Sequence, residues 1–235
     1  MLGKSDTAWP VKTVPDPLRP TPVRLDPTQG WRWYDQRKRR SHILAAARMV
    51  MTQEEFDAVQ LRSVARESGV SVQTIYNLVG NRMELMGASA ADWVSSIAQV
   101  ARVEAAQHDL NAPLTLLTMF WSSAFTQAAY VESAVRTTYM EAAPLARPFQ
   151  RAGMQEFLTD LKMIQAQGML RDGADVTSVA RLLTLSAYFT ISAWVTERYP
   201  AESYRADLVN GPGMILAGAL RGEELNRLER GLAAL

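Results

Sequence analysis

Gln73 and Asn77 are the two side chains of this sequence best equipped for recognition chemistry, because each carries both a hydrogen-bond donor and an acceptor on one planar amide. Four residues apart, they share one side of a helical turn, and amides of this kind can pair with the edge of adenine in the major groove of DNA. Val72 precedes them and is placed to touch a thymine methyl. Ser71, Thr74, Tyr76 and Arg82 carry hydroxyl or guanidinium groups suited to phosphate, with helix N-terminal amides adding to them. Arg37, Lys38, Arg39, Arg40 and Arg62 would supply the salt-dependent attraction to a polyanion. Ile75 points to packing, Thr74 also has a packing role open to it, and for Tyr76 packing and contact are evenly matched.

These residues need a scaffold, and residues 61–79, LRSVARESGVSVQTIYNLV, read as two short helices joined by a tight turn. Leu61, Val64 and Ala65 recur at helical intervals and give the first helix a face to bury. Gly69 can leave that helix in a left-handed conformation, Val70 anchors the turn, and Ser71 is a good N-cap. The second helix has a narrow apolar stripe, Ile75 with Leu78 or Val79. A helix of about two turns is not stable alone, so its outward face is what it is kept for. Upstream, Ile43, Leu44, Ala47, Val50 and Met51 form the apolar stripe of a preceding helix, Phe56 closes the following loop, and Arg82–Met86 opens another helix.

Charge is divided along the chain. Residues 1–50 hold ten Lys or Arg against four Asp, a net of +6; the remaining 185 hold 15 basic and 20 acidic side chains, a net of −5. A basic front beside a two-helix motif fits a first segment that meets nucleic acid. The first 34 residues form a basic arm rich in proline (Pro10, Pro15, Pro17, Pro20, Pro22, Pro27), with Trp9, Trp31, Trp33 and Tyr34. Docking of those aromatics onto the protein is favoured over contact with DNA.

From Ala88 onward the pattern is helical, with spans expected at 87–107, 112–129, 131–142, 145–168, 175–198 and 203–230. Pro113 suits a first turn, and Gly168 and Gly173 suit helix ends. Gly211-Pro212-Gly213 should interrupt or restart the last helix. No strand alternation is evident, so the fold expected is all-α: an N-terminal three-helix helix-turn-helix domain followed by a helical bundle. The domain boundaries expected are 1–34 for the arm, 35–86 for the head and 87–235 for the bundle.

The run from Arg40 to Met86 resembles the TetR family of transcriptional regulators. It reads R-x-x-I-L-x-A-A at Arg40–Ala47, F-D-A at Phe56–Ala58 and L-R-x-V-A at Leu61–Ala65. S-G-V-S follows at Ser68–Ser71, T-I-Y at Thr74–Tyr76, and a basic residue before an apolar pair at Arg82, Leu85 and Met86. Departures are Glu55 where the family has Gly, Val59 where it favours Thr, Val79 where an aromatic ends the recognition helix, and Arg82 for Lys. The resemblance implies a homodimer on an inverted-repeat operator in double-stranded DNA, with heads about 34–36 Å apart. It also implies a small-molecule effector held in the second half.

Helix pairing between copies is expected at the last two helical segments, where Ala180, Leu183, Ser186, Ala187 and Ala193 are followed by Gly213, Ala217, Gly218 and Leu220. For the effector, Trp121, Phe125, Tyr139, Phe157, Tyr188 and Trp194 are the expected lining, with Met119, Phe120, Met140, Met163 and Phe189 nearby. Most of these belong to a core, and Met-rich surroundings favour a lipophilic guest. A helix-turn-helix protein controlled by protein partners, without an effector, is the alternative.

Enzymatic readings find little support. The chain has no cysteine and two histidines, His42 and His108, with no metal-ligand cluster, phosphate-cradling loop or nucleophile–base pairing. No cofactor is expected. Neither a membrane span nor a secretory signal is expected, the apolar run at Leu182–Val195 being short, which points to a cytoplasmic protein, nucleoid-associated when bound to DNA.

Overall fold

A computed structural model describes residues 30–54, 58–126, 128–139, 143–197 and 201–234. Among these residues there are ten helices and no strand: α1 Gly30–Gln53, α2 Leu61–Ser68, α3 Val72–Leu78, α4 Arg82–His108, α5 Ala112–Thr126, α6 Ala128–Tyr139, α7 Ala143–Ala166, α8 Val176–Glu197, α9 Ala201–Ala219 and α10 Gly222–Ala233. The helix starting at Gly30 begins earlier than the pattern from Asp35 suggested. The side chains of Trp31, Trp33 and Tyr34, and residues 1–29 and 55–57 with Phe56, lie outside the described residues.

The chain divides into two compact units. Of the described residues, one takes those up to Ser96 together with Ala124–Gly153, and the other Ile97–Ser123 with those from Met154 on. The first unit is built on the apolar face of α1. Ile43, Leu44, Ala47, Val50 and Met51 are buried with Val59, Val64, Ile75, Leu85 and Met86, so the stripe read from sequence is the core. In α2, Val64 and Ser68 are buried while Leu61 and Ala65 are only half-covered. Ser68 tolerates burial because its hydroxyl donates to the Val64 carbonyl at 2.6 Å.

Sequence periodicity gave no hint of the cation inside this unit. Arg48, 1 % exposed, donates through Nη1 to the Ser89 carbonyl at 3.2 Å and to Asp92 at 3.0 Å. A buried pair of this kind gains little net stability over apolar packing, but loss of one partner strands a charge and costs about 3–5 kcal/mol. Its effect is to fix how α1 registers against α4. Trp93 meets Tyr130 of α6 edge to face, with ring centroids 5.2 Å apart and planes at 86°. Burial pushes the Tyr130 phenol well above its ordinary pKa, with nearby Arg48 opposing, so the hydroxyl stays protonated.

The second unit is centred on Leu114, Leu116, Leu117, Phe157, Leu161, Ala180, Leu183, Leu208, Leu216 and Leu228, all buried. Arg102 on α4 grips α7, donating to Asp160 at 2.5 Å and to Glu156 at 2.7 Å. Asn111 caps α5 by accepting from the Leu114 N–H, and its amide donates to buried Glu224 of α10 at 2.9 Å. Asp109 has a left-handed backbone (φ 53°), and Arg227 and Arg230 of α10 both donate to its carboxylate.

Three expectations change here. The region 203–230 is two helices, parted at Leu220 and Arg221, and Gly222, which opens the second, has φ 60°. Gly211-Pro212-Gly213 does not interrupt α9, which runs through Pro212. A Cβ built on Gly213 would stand 3.1 Å from the Leu232 side chain of α10, and one on Gly211 3.4 Å from Ser186 of α8. Gly213 is thus a site of close helix approach, which accounts for its presence, whereas the Gly211 distance is ordinary contact. Lastly, α8 keeps the span expected at 175–198, but its apolar stretch exceeds the run Leu182–Val195: Val176–Thr196 is long and apolar enough to cross a membrane by length and composition. Its pattern is that of a core helix, with Val179, Ala180, Leu183, Ala187 and Ile191 buried on one face and Arg181 exposed.

Candidate nucleic-acid interface

The α2–turn–α3 unit forms from local chemistry. Gly69 takes φ 67°, and its N–H reaches back to the Ala65 carbonyl, which ends α2. Ser71 is the N-cap of α3: its hydroxyl accepts from the Thr74 N–H at 3.1 Å and pairs with the Thr74 hydroxyl at 2.9 Å. Ile75 is fully buried beneath the helix. Val79 caps the far end, its N–H bonded to the Ile75 carbonyl at 2.8 Å, so the helix terminates without the aromatic common in the resembling family.

The next helix is locked by a reciprocal box that sequence reasoning missed. Asn81 accepts from the Glu84 N–H at 3.0 Å, and Glu84 accepts from the Asn81 N–H at 2.8 Å. The N-x-x-E spacing before an apolar run was the available signal. Gly80, with φ 125°, is required there because a Cβ would collide with the Glu84 carboxylate.

The expected contact residues divide by what they already bind. Gln73, Tyr76 and Asn77 are exposed on the outer face of α3, Tyr76 by 50 %, and Val72 is half-covered at its start. The Gln73 amide donates to the Asn77 amide oxygen at 3.0 Å. The Ser71 and Thr74 hydroxyls are engaged in the cap. Arg82 is half-buried and donates through Nε to the Val59 carbonyl at 2.7 Å, tying the start of α4 to the loop before α2. It is a brace before it is anything else, which the phosphate assignment did not anticipate. Arg62 is exposed on α2, and Arg37, Lys38, Arg39 and Arg40 are all exposed on the first turns of α1.

Buried helices thus present a short helix whose outer face is polar, beside a helix with four consecutive exposed cations. Residues 43–88 match the family model of bacterial regulatory proteins, tetR family. The head is that of the tetR family. The matched span covers all of α2 and α3 and the start of α4, so the tetR match falls on the elements described above.

Similar folds extend over most of the chain. A TetR transcriptional regulator from Rhodococcus sp. RHA1 is 21 % identical, covering 78 % of this chain and 97 % of its own, with a TM-score of 0.58. The Thermus thermophilus FadR repressor, solved with lauroyl-CoA, is 16 % identical over 76 % of this chain and 94 % of its own, with a TM-score of 0.61. FadR from Bacillus subtilis, solved with stearoyl-CoA, is 15 % identical over 72 % and 97 %, with a TM-score of 0.53. At these identities the likeness is one of fold. No curated protein matches by sequence.

Of the expected effector lining, Phe157 is fully buried in α7, and Tyr188 and Trp194 are half-buried on α8. The side chains of Trp121, Phe125 and Tyr139, and residue Met140, lie outside the described residues. Met119 and Phe120 are core. Met163 and Phe189 are exposed. Of the residues expected between copies, Ala180, Leu183, Ala187, Gly213 and Leu220 are buried in their own unit, Ser186, Ala193 and Ala217 are half-covered, and Gly218 is exposed. The exposed apolar residues of α8 and α9 are Leu182, Leu185, Phe189 and Met214. Among the described residues no three His, Asp or Glu side chains gather as a metal site.

Proposed function

We propose that this TetR-family regulator binds an inverted-repeat operator as a homodimer, represses transcription there, and is released or modulated by a small lipophilic effector. The observation that carries the DNA reading is the outer face of α3, where Gln73, Tyr76 and Asn77 project from a helix whose only fully buried residue is Ile75. Val72, Gln73 and Asn77 face the base edges, while Ser71, Thr74 and Tyr76 lie near phosphate. Arg37, Arg40 and Arg62 supply the salt-dependent part of the affinity, and Arg82 sets the helix that follows.

Two copies are needed to place two heads one helical turn apart. The stripe Leu182, Leu185 and Phe189 on α8, with Met214 on α9, is the apolar surface offered for that pairing. The effector belongs to the part of the chain after residue 86. Two proteins of similar fold were solved with fatty acyl-CoA, which makes acyl thioesters and other lipophilic carboxylic derivatives the first class to screen. Binding of such a ligand would change operator affinity by favouring one arrangement of the heads.

Selection of genomic fragments with the purified full chain tests the first half of this reading. The expected result is a palindromic consensus bound by a dimer, with affinity falling steeply with salt. Binding with no sequence preference would overturn it. A screen of lipophilic compounds against the best fragment tests the second half, and loss or gain of operator affinity is the expected result.

A further inference from the structure

The amides of Gln73 and Asn77 are not two independent groups. They are hydrogen-bonded to each other at 3.0 Å across one helical turn, both exposed, on the outer face of α3. The geometry points to their acting as one composite reader of a single adenine in each half-site. This rests on the proposal that α3 enters the major groove.

The mutual bond leaves one acceptor and one donor nitrogen of the pair free. The Gln73 nitrogen spends one N–H on the Asn77 oxygen, so the Gln73 oxygen remains as an acceptor and the Asn77 nitrogen keeps its two donors. Turning both amides over keeps the bond and exchanges the two roles, so the pair still offers one acceptor and one donor whichever way the amides are assigned. In the major groove only adenine presents a donor and an acceptor together, at N6 and N7. Guanine shows two acceptors there, so the free amide oxygen would meet O6 with like polarity. Cytosine offers a lone donor, and thymine an acceptor beside a methyl group.

Neighbouring groups sharpen the assignment. The Ser71 and Thr74 hydroxyls are bonded to each other, and the Ser71 hydroxyl also accepts from the Thr74 N–H, so the cap holds them. Ile75 is fully buried. The amide pair therefore presents both hydrogen-bond polarities side by side on the outer face. The internal bond also restrains two flexible side chains before binding, which lowers the ordering cost that a lone glutamine would meet.

The test uses the full chain and a synthetic duplex of the best selected fragment. At the contacted adenine, one duplex carries 7-deazaadenine, which lacks N7, and another carries purine, which lacks the N6 amine. Wild type should lose about tenfold or more in affinity with each analogue. Gln73→Ala, Asn77→Ala and the double variant should bind the unmodified duplex equally weakly and ignore both analogues, since breaking one amide releases the other. Thermal midpoints should stay within a degree or two, because both side chains are exposed. Losses that simply add in the double variant would mean two separate readers and overturn the inference. So would a wild type that selects sequences yet ignores both analogues, although the regulator reading would then survive. Failure of wild type to select any sequence would overturn both.

Discussion

At the scale of single residues, two arginines show why exposure must be known before a charge is given a role. Arg62 is exposed, and Arg62→Ala should lower the salt slope of operator binding by about 1 while leaving stability unchanged. Arg82 donates to the Val59 carbonyl, so Arg82→Ala should cost about 1.5–3 kcal/mol in denaturant unfolding, the usual worth of a hydrogen bond from a charged donor. A variant as stable as wild type would restore Arg82 to a pure phosphate contact. Asp160 offers a pH-linked prediction. Burial raises its pKa from 3.8 to about 6, against the opposing hydrogen bond and charge of Arg102. Between those two values the folded protein binds a proton that the unfolded chain does not. This group therefore adds stability as pH falls from about 6 towards 4, and withdraws it as pH rises. Unfolding midpoints from pH 7.5 to 4.5 should show that component in wild type and lose it in Asp160→Asn. An unchanged profile would show that Arg102 keeps the carboxylate ionised throughout.

At the scale of elements, the glycines of α9 separate close approach from mere flexibility. Gly213→Ala puts a methyl 3.1 Å from Leu232 and should destabilise by about 1–3 kcal/mol, as overpacking does. Gly218→Ala meets nothing within 4 Å and should be neutral or stabilise by up to about 1 kcal/mol, through helix propensity. Thermal unfolding of the two variants checks the contrast, and equal effects would remove packing as the reason for Gly213. The same helix shows what could be read in advance. The spans of α4 to α8 were legible to within a few residues because apolar periodicity and flanking Gly or Pro mark them locally. The turn at Gly69 and the cap at Ser71 were legible for the same reason. Pro212 inside α9 was not, since a proline's local cost can be outweighed by packing against helices distant in sequence. Arg48 escaped notice on equal grounds: its partners Ser89 and Asp92 lie more than forty positions away, and nothing local marks a cation that will be buried. The outer face of α3 was legible as a set of residue types, but the bond between Gln73 and Asn77 needed coordinates.

At the scale of the whole molecule, the apolar residues left uncovered are the surface offered for the proposed pairing of two copies. Phe189 is 75 % exposed and Met214 73 %, with Leu182 and Leu185 each about half exposed on the same helix as Phe189. Positions 182, 185 and 189 recur at three and four residues, so they form one stripe, opposite the buried Val179, Ala180, Leu183 and Ala187. A two-fold axis beside this stripe would set α8 and α9 of one copy against the same helices of the other, making a self-complementary interface. Charge placed there should break it without harming the fold, because none of these side chains is buried in its own unit. Phe189→Asp with Met214→Asp should therefore give a monomer by light scattering that keeps its helical circular dichroism. Linking two heads raises the effective concentration of the second half-site contact, and losing the link should weaken binding to the full inverted repeat by about 10²-fold or more. Binding to a single half-site should be almost unchanged, since α3 and its cap are untouched. Ala180→Asp, on the buried face, serves as the contrasting variant and should unfold the unit rather than part the copies. A dimer that survives the double substitution would move the two-fold axis elsewhere on the surface, and α8 would then need another reason to leave Phe189 uncovered.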